Sequence, residues 1–219
     1  MYLEVLEVWI GRIGGLAAAV ALAGALRGLQ AASLRPSGRQ EGAARQVLRW
    51  PVQLLATLAF VGLGIVLWRP LPWRLSEVAR VAALMAGVLL FFGGIVLYLW
   101  GMRTLGQEFD GASGFGVRLH AGHRMITHGP YAVVRHPMYV AVMCAFFGAL
   151  LLYRTWAMAL YGVMMLGLLV RGRREERVLA EEYGDAWRTY CRQVPGWLPR
   201  PRLCGVFQGR SNHGQEGRD

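Results

Sequence analysis

The 219-residue chain contains no lysine, so every one of its 24 basic residues is arginine. That bias is compositional, and no mechanism follows from it. Charge is scarce: 17% of residues are charged, where a soluble domain carries about 25%. Cysteine is scarce as well. Cys144, Cys191 and Cys204 are odd in number and lack CxxC spacing, which argues against a disulfide scaffold and against a zinc site. Cys144 lies inside an apolar block and reads as a small packed hydrophobe. The N-terminus, MYLEVLEVW, opens with acidic residues and lacks the basic start of a cleavable signal peptide. A net charge of +11 and a pI near 10.6 invite a nucleic-acid reading. The arginines, however, flank apolar blocks instead of forming a stripe with interleaved aromatics, so no nucleic-acid partner is expected.

What the chain has in abundance is apolar sequence in long blocks, 55% hydrophobic residues in all, with a mean hydropathy of +0.34. A transmembrane helix needs about 20 mostly apolar residues. Trp9 to Leu29, Val52 to Trp68 and Val78 to Trp100 meet or approach that length. A polar linker, Gln30 to Arg49, separates the first two, and the proline-broken turn RPLPWRLS separates the second from the third. Met138 to Tyr153 and Trp156 to Val170 are shorter, about 23 Å each at 1.5 Å per residue, and form a hairpin that crosses or dips into the bilayer. The expected fold is therefore all-α: a polytopic membrane protein of about five segments. Residues 1–100 supply three spans, 101–203 a polar and helical core, and 204–219 a disordered tail. Glu175 to Arg192 carries an amphipathic stripe of Val178, Leu179, Tyr183, Ala186, Trp187 and Tyr190, ended by Pro195 and Pro199. Arg27, the 30–49 linker, the 101–137 segment and the C-terminal region together hold 19 of the 24 arginines, which places them on the cytoplasmic side. Glycines in the first span (Gly11, Gly14, Gly15, Gly24, Gly28) permit close helix packing, within one chain or between chains.

Two polar clusters share that side: His123 to Tyr131 followed by Arg135-His-Pro-Met-Tyr139, and Arg171, Glu175 and Glu176 followed by Tyr183-Gly184, Trp187, Tyr190 and Val194-Pro-Gly-Trp-Leu-Pro199. Pro137 suits the first turn of a helix, where its missing N–H costs nothing. His136, preceding it, is expected to be extended. Arg135 and His136 thus sit at a helix N-terminus, which attracts anions. Gly129-Pro130 marks a turn presenting Tyr131. Arg171 and Glu175, four apart, share a helical face. Singly these residues have bland readings: Arg135 as a positive-inside anchor, Tyr131 and Tyr139 as interface aromatics, Arg171 with Glu175 as a surface ion pair. His123, His128 and His136 lack acidic or cysteine partners at ligand spacing, so no metal is expected.

Jointly, GPYxxxRHPxY, a short apolar hairpin, then EExxL, YG and a closing proline resemble the isoprenylcysteine carboxyl methyltransferase family and its bacterial and archaeal relatives, themselves similar to phospholipid methyltransferases. The resemblance covers about Gly101 to Pro199. It implies S-adenosylmethionine as cofactor, held by His123, Arg124, Met125, Ile126, Tyr131, His136, Pro137, Met138 and Tyr139 and closed by Glu175, with Arg171 orienting the methyl acceptor. The chemistry of that cofactor adds Arg135, which suits its carboxylate as Glu175 suits its ammonium. The chain departs from the family where Gly116, Val117 and Arg118 replace a usual glutamine, and where Tyr183 replaces phenylalanine. Membrane lipids and a lipophilic acceptor are the implied partners. A carboxylate acceptor needs no base; an amine or thiol would, with Glu176 or His128 the candidates. A phospholipid amine, a small thiol or a phenol-like ring are alternative acceptors. A non-catalytic carrier or assembly factor would be expected to have lost these motifs.

Overall fold

A computed structural model describes residues 2–33, 39–40, 50–106, 118–119 and 125–199. The architecture is helical: α1 (Tyr2–Ser33), α2 (Trp50–Val66), α3 (Glu77–Leu105), α4 (Pro137–Tyr153), α5 (Trp156–Met165) and α6 (Gly167–Gln193). A 3-10 turn, Gly129–Ala132, precedes α4. The only sheet among the described residues is an antiparallel pair of two-residue strands, Arg39–Gln40 with Arg118–Leu119, which ties the linker to the segment before α4.

Helix ends follow local chemistry. Ser76 caps α3 by accepting a bond from the Ala79 amide, and Glu77 complements the helix dipole in the first turn. Pro137 opens α4 as expected, and Arg154 closes it in the left-handed conformation (φ 49°). Thr155 then caps α5 through the Met158 amide, so the hairpin turns on two residues. The turn between α2 and α3 braces it: the Leu71 amide donates to the Arg154 carbonyl, and the Trp156 amide to that of Arg69.

The central pairing is α3 against α4. Gly87, Gly94 and Gly101 recur every seven residues along one side of α3 and are all buried. They face Ala141, Ala145 and Gly148 of α4. A Cβ on Gly94 would stand 2.6 Å from the Ala141 carbonyl oxygen and 2.7 Å from the Ala145 amide nitrogen. The two backbones therefore touch, as small residues allow in lipid, where burial of apolar surface cannot hold helices together. Leu84, Phe91, Ala149 and Leu152 complete this seam. α1 joins it through Tyr153, whose hydroxyl donates to the Gly11 carbonyl at 2.7 Å and lies where a Gly14 Cβ would go. Those two glycines of the first span thus serve packing within the chain. Glu7 of α1 accepts from Arg154 at 3.1 Å and pairs with Arg80 of α3.

Two helices, with apolar stretches Tyr2–Gly24 and Glu77–Leu105, are long and apolar enough to cross a bilayer; Leu54–Val66 and Pro137–Tyr153 are shorter. Large apolar side chains such as Leu55, Ile65, Val78 and Leu89 project outward, as a lipid-facing surface requires. The expected fifth segment, Trp156 to Val170, falls on two consecutive helices. α5 stops at Met165, and Leu166 and Leu169 bond three residues back, to Val163 and Leu166 respectively, so a single turn residue with helical dihedrals, Leu166, separates α5 from α6. α6 then starts eight residues before the expected Glu175. The 204–219 tail and most of the 30–49 linker lie outside the described residues.

Substituting Gly94 by alanine is expected to lower the thermal unfolding midpoint in detergent, at a cost of about 1–3 kcal/mol for overpacking. Gly93→Ala, where a Cβ meets nothing within 4 Å, should leave it unchanged or raise it, since alanine is favoured over glycine in a helix by about 1 kcal/mol.

Candidate functional site

At the end of the α3–α4 seam that carries Gly101, four pieces of chain meet: the 3-10 turn, the first turn of α4, the start of α6 and the segment after it. Gly129 takes φ 61°, and a Cβ there would collide with Thr104 of α3, so glycine is required for the turn to lie against α3. Gly101 leaves room for Met138; a Cβ would come within 2.8 Å of its Cγ. Tyr190 of α6 donates to the Tyr131 carbonyl at 2.6 Å. Burial and the nearby Glu175 push the Tyr131 hydroxyl well above the ordinary tyrosine range. Tyr190 is raised to about 12, mainly by burial. Both are neutral donors at physiological pH. Met125 packs on Trp187, Tyr190 and Val194, and Ile126 is half-buried.

The RHP motif is gripped from the C-terminal side. The Arg135 amide donates to the Pro195 carbonyl at 2.9 Å and the His136 amide to that of Gly196 at 3.1 Å. His136 is buried, but at φ −118° and ψ 54° it is not fully extended. Pro137 keeps it out of the helical region, and the bond to Gly196 accompanies the intermediate ψ. Its Nε2 shares a 3.0 Å hydrogen bond with Glu176 Oε1, the same oxygen that Arg135 reaches at 3.0 Å. The His136 bond above all, with Arg135 beside it, holds the Glu176 carboxyl below the usual 4.5. Arg135 also lies over the Trp187 ring at 5.8 Å.

Glu175, one residue earlier, accepts from the Tyr139 hydroxyl at 2.7 Å, while Arg171 Nε donates to that same hydroxyl at 2.6 Å. The guanidinium also lies over the Tyr139 ring. Arg171 and Glu175 do share a face, and the tyrosine links them. At the YG step, Gly184 takes φ 52° and ψ −120°, which bends α6 and serves glycine alone.

Of the residues expected from sequence, Met125, Ile126, Tyr131, Arg135, His136, Pro137, Met138, Tyr139, Arg171 and Glu175 come together here. His123 and Arg124 lie outside the described residues. His128 stands on the exposed rim. Glu176, a candidate base by sequence, is engaged by Arg135 and His136. Trp197 was not singled out: it stacks on His136 at 4.8 Å, and its only sequence signal was a place in the closing VPGWLP.

S-adenosylmethionine presents a carboxylate, an ammonium, a sulfonium and a flat adenine, and the donor set suits it. Arg135 Nε is buried with no hydrogen-bond partner among the described residues. The amides of Met138 and Tyr139, in the first turn of α4, have no partner within the helix. Glu175 offers a carboxylate and Tyr131 a ring.

Because Glu176 has a lowered pKa, its contribution to stability is present above the usual 4.5 and is lost as pH falls through the depressed value. The stability gap between the wild type and Glu176→Gln should therefore close as pH falls below the usual 4.5 and through the depressed value. Thermal unfolding of both proteins across the range checks this.

Residues 82–186 match the family model of PEMT, phospholipid methyltransferase. The matched stretch runs from α3 into α6 and contains both the RHP motif and the Glu175-Glu176 pair. It is an integral-membrane, S-adenosylmethionine-dependent methyltransferase domain that acts on a lipid-type acceptor.

Proposed function

We propose that the chain transfers a methyl group from S-adenosylmethionine to a lipophilic acceptor oriented by Arg171, with a carboxylate as the acceptor group, as in isoprenylcysteine carboxyl O-methylation. The observation that carries this is the commitment of both glutamates. Glu175 accepts from Tyr139, and Glu176 is paired with Arg135 and His136. Neither is poised to remove a proton, which suits an acceptor that is already ionised. Arg171, fixed through Nε on the Tyr139 hydroxyl, presents positive charge where the chain leaves the bilayer.

When bound, the cofactor supplies a methyl carbon already activated by its sulfonium. The protein's part is to position. Arg135 and the first turn of α4 would hold the cofactor carboxylate, Glu175 its ammonium and Tyr131 a face of its rings. His123 and Arg124 are assigned here by resemblance alone. The arginine distribution favours a cytoplasmic site, with the cofactor entering from water and the acceptor from the bilayer. An apolar cleft of about 600 Å³ between α1, α2 and α5, lined by Leu22, Phe60, Ile65, Trp68 and Met158 among others, suits a lipid chain.

A second reading is favoured by the family match: the acceptor is a phospholipid amine. The product decides between them. Purified protein, methyl-labelled cofactor and either a prenylated cysteine analogue or vesicles containing phosphatidylethanolamine should give alkali-labile, volatile label if the carboxylate reading holds. Alkali-stable label in phospholipid would replace it with the amine, and stable label on an added thiol or phenol would point to those classes.

For the cofactor, calorimetric titration of S-adenosylhomocysteine should show saturable binding. Glu175→Ala and His136→Ala should each weaken it about 10- to 100-fold, the range for hydrogen bonds to charged groups. Arg171→Ala should cut turnover far more than cofactor affinity. A well-folded wild type that binds nothing would sink the assignment of this pocket.

A further inference from the structure

The segment that follows α6, Pro195-Gly196-Trp197, lies beyond the matched domain, which ends at residue 186. Three separate features nevertheless build it into the pocket. Its first two carbonyls accept the amides of Arg135 and His136, a short ladder joining the RHP loop to the C-terminal side of the chain. The Trp197 indole stacks on the His136 ring, with centroids 4.8 Å apart and planes 28° from parallel. The Tyr139 ring lies 5.5 Å from His136 and 6.2 Å from Trp197, so the three rings form one cluster.

Glycines clear the space for it. A Cβ on Gly172 of α6 would come 2.7 Å from the indole, and one on Gly196 would come 3.2 Å from the Arg135 guanidinium. Any side chain at 172 would push Trp197 away from His136.

From this geometry we infer that Trp197 is a positioning residue for the cofactor site, acting through His136. The indole face fixes the plane of the imidazole, so that Nε2 points at Glu176. Glu176 in turn holds the Arg135 guanidinium at 3.0 Å, with its buried Nε left for a ligand. Without the indole the imidazole can rotate about its side-chain bonds, Glu176 loses one of its two partners, and Arg135 is no longer held in one place. Trp197 itself need not touch the cofactor.

This inference rests on the reading of the pocket as a cofactor site, and a double-mutant cycle separates the two. S-adenosylhomocysteine is titrated calorimetrically into the full-length protein in detergent. The variants are Trp197→Leu, Trp197→Phe, His136→Ala and the Trp197→Leu/His136→Ala pair, with thermal unfolding recorded for each. Leucine keeps apolar bulk without a flat face; phenylalanine keeps the face. We expect Trp197→Leu to weaken binding about tenfold or more, Trp197→Phe to recover most of it, and Trp197→Leu to cost little once His136 is already alanine. Such non-additivity is what action through a shared partner produces. Gly172→Ala, which displaces the indole while leaving it intact, should reproduce the loss and serves if Trp197→Leu does not fold.

Unchanged affinity in Trp197→Leu or Gly172→Ala would overturn the inference, as would an equal loss in both His136 backgrounds or a phenylalanine variant no better than leucine. Wild-type protein that binds no S-adenosylhomocysteine would overturn the pocket reading and this inference with it.

Discussion

The backbone contact between α3 and α4 is the constraint on which the rest of the structure depends. In lipid, helices gain nothing from hiding apolar surface, because the solvent is as apolar as they are. Close van der Waals approach must do that work, and the glycine row of α3 permits it. Gly87, Gly94 and Gly101 are seven residues apart, nearly two helical turns, so they recur on the same buried side of the helix, which Leu84 and Phe91 share. α4 answers with Ala141, Ala145 and Gly148. Once the seam is closed, the depth and rotation of Pro137 at the start of α4 are set, and with them Arg135, His136 and Tyr139. A site built at the end of such a seam inherits its rigidity from backbone, not from flexible side chains.

The polar half of the site solves a different problem. Arg135, Arg171, Glu175 and Glu176 converge near the start of α6, and half-buried charges must be paired. Pairing is done in two separate sets: Glu176 with Arg135 and His136, and Glu175 with Arg171 through the Tyr139 hydroxyl. Each carboxylate is thus oriented by groups from α4 or the loop before it, so α6 cannot shift without breaking both sets. Partial satisfaction is the informative feature. Arg135 spends its terminal nitrogen on Glu176 while its Nε stays buried and unpartnered, and an unpaired buried donor costs about 1–3 kcal/mol. A ligand acceptor would relieve it.

Much of this was legible in sequence where the signal is local. Apolar blocks located α1 to α4 to within several residues. Pro137 marked a helix start, and the spacing of Arg171 and Glu175 put them on one face. The motif string named most residues of the pocket. What stayed hidden is long-range or depends on backbone path. Glu7 meets Arg80 and Arg154, 73 and 147 residues away, and no short pattern announces such partners. The single turn residue at Leu166 has no local signal, because hydropathy stays high from Trp156 to Val170. Trp197 was missed because its role depends on bare positions at Gly172 and Gly196, which mean nothing until the chain has folded back.

The bend in the last helical stretch explains how one short segment can serve both lipid and water. α5, at 10 residues, is about 15 Å long, half the thickness of a hydrocarbon core. α6 follows after a single turn residue, Leu166, and brings Arg171 of its first turns against the Tyr139 hydroxyl. The bend at Gly184 turns Trp187 and Tyr190 back onto Arg135 and Tyr131. That bend also delivers Pro195 and Gly196 to the amides of the RHP loop. Alanine at 184 would have to adopt a φ that L residues rarely take, and a straightened helix would carry the whole C-terminal side away from the loop. Lipid contact is thus left to apolar helices of ordinary geometry, while the departures from helical geometry are spent on closing the polar pocket.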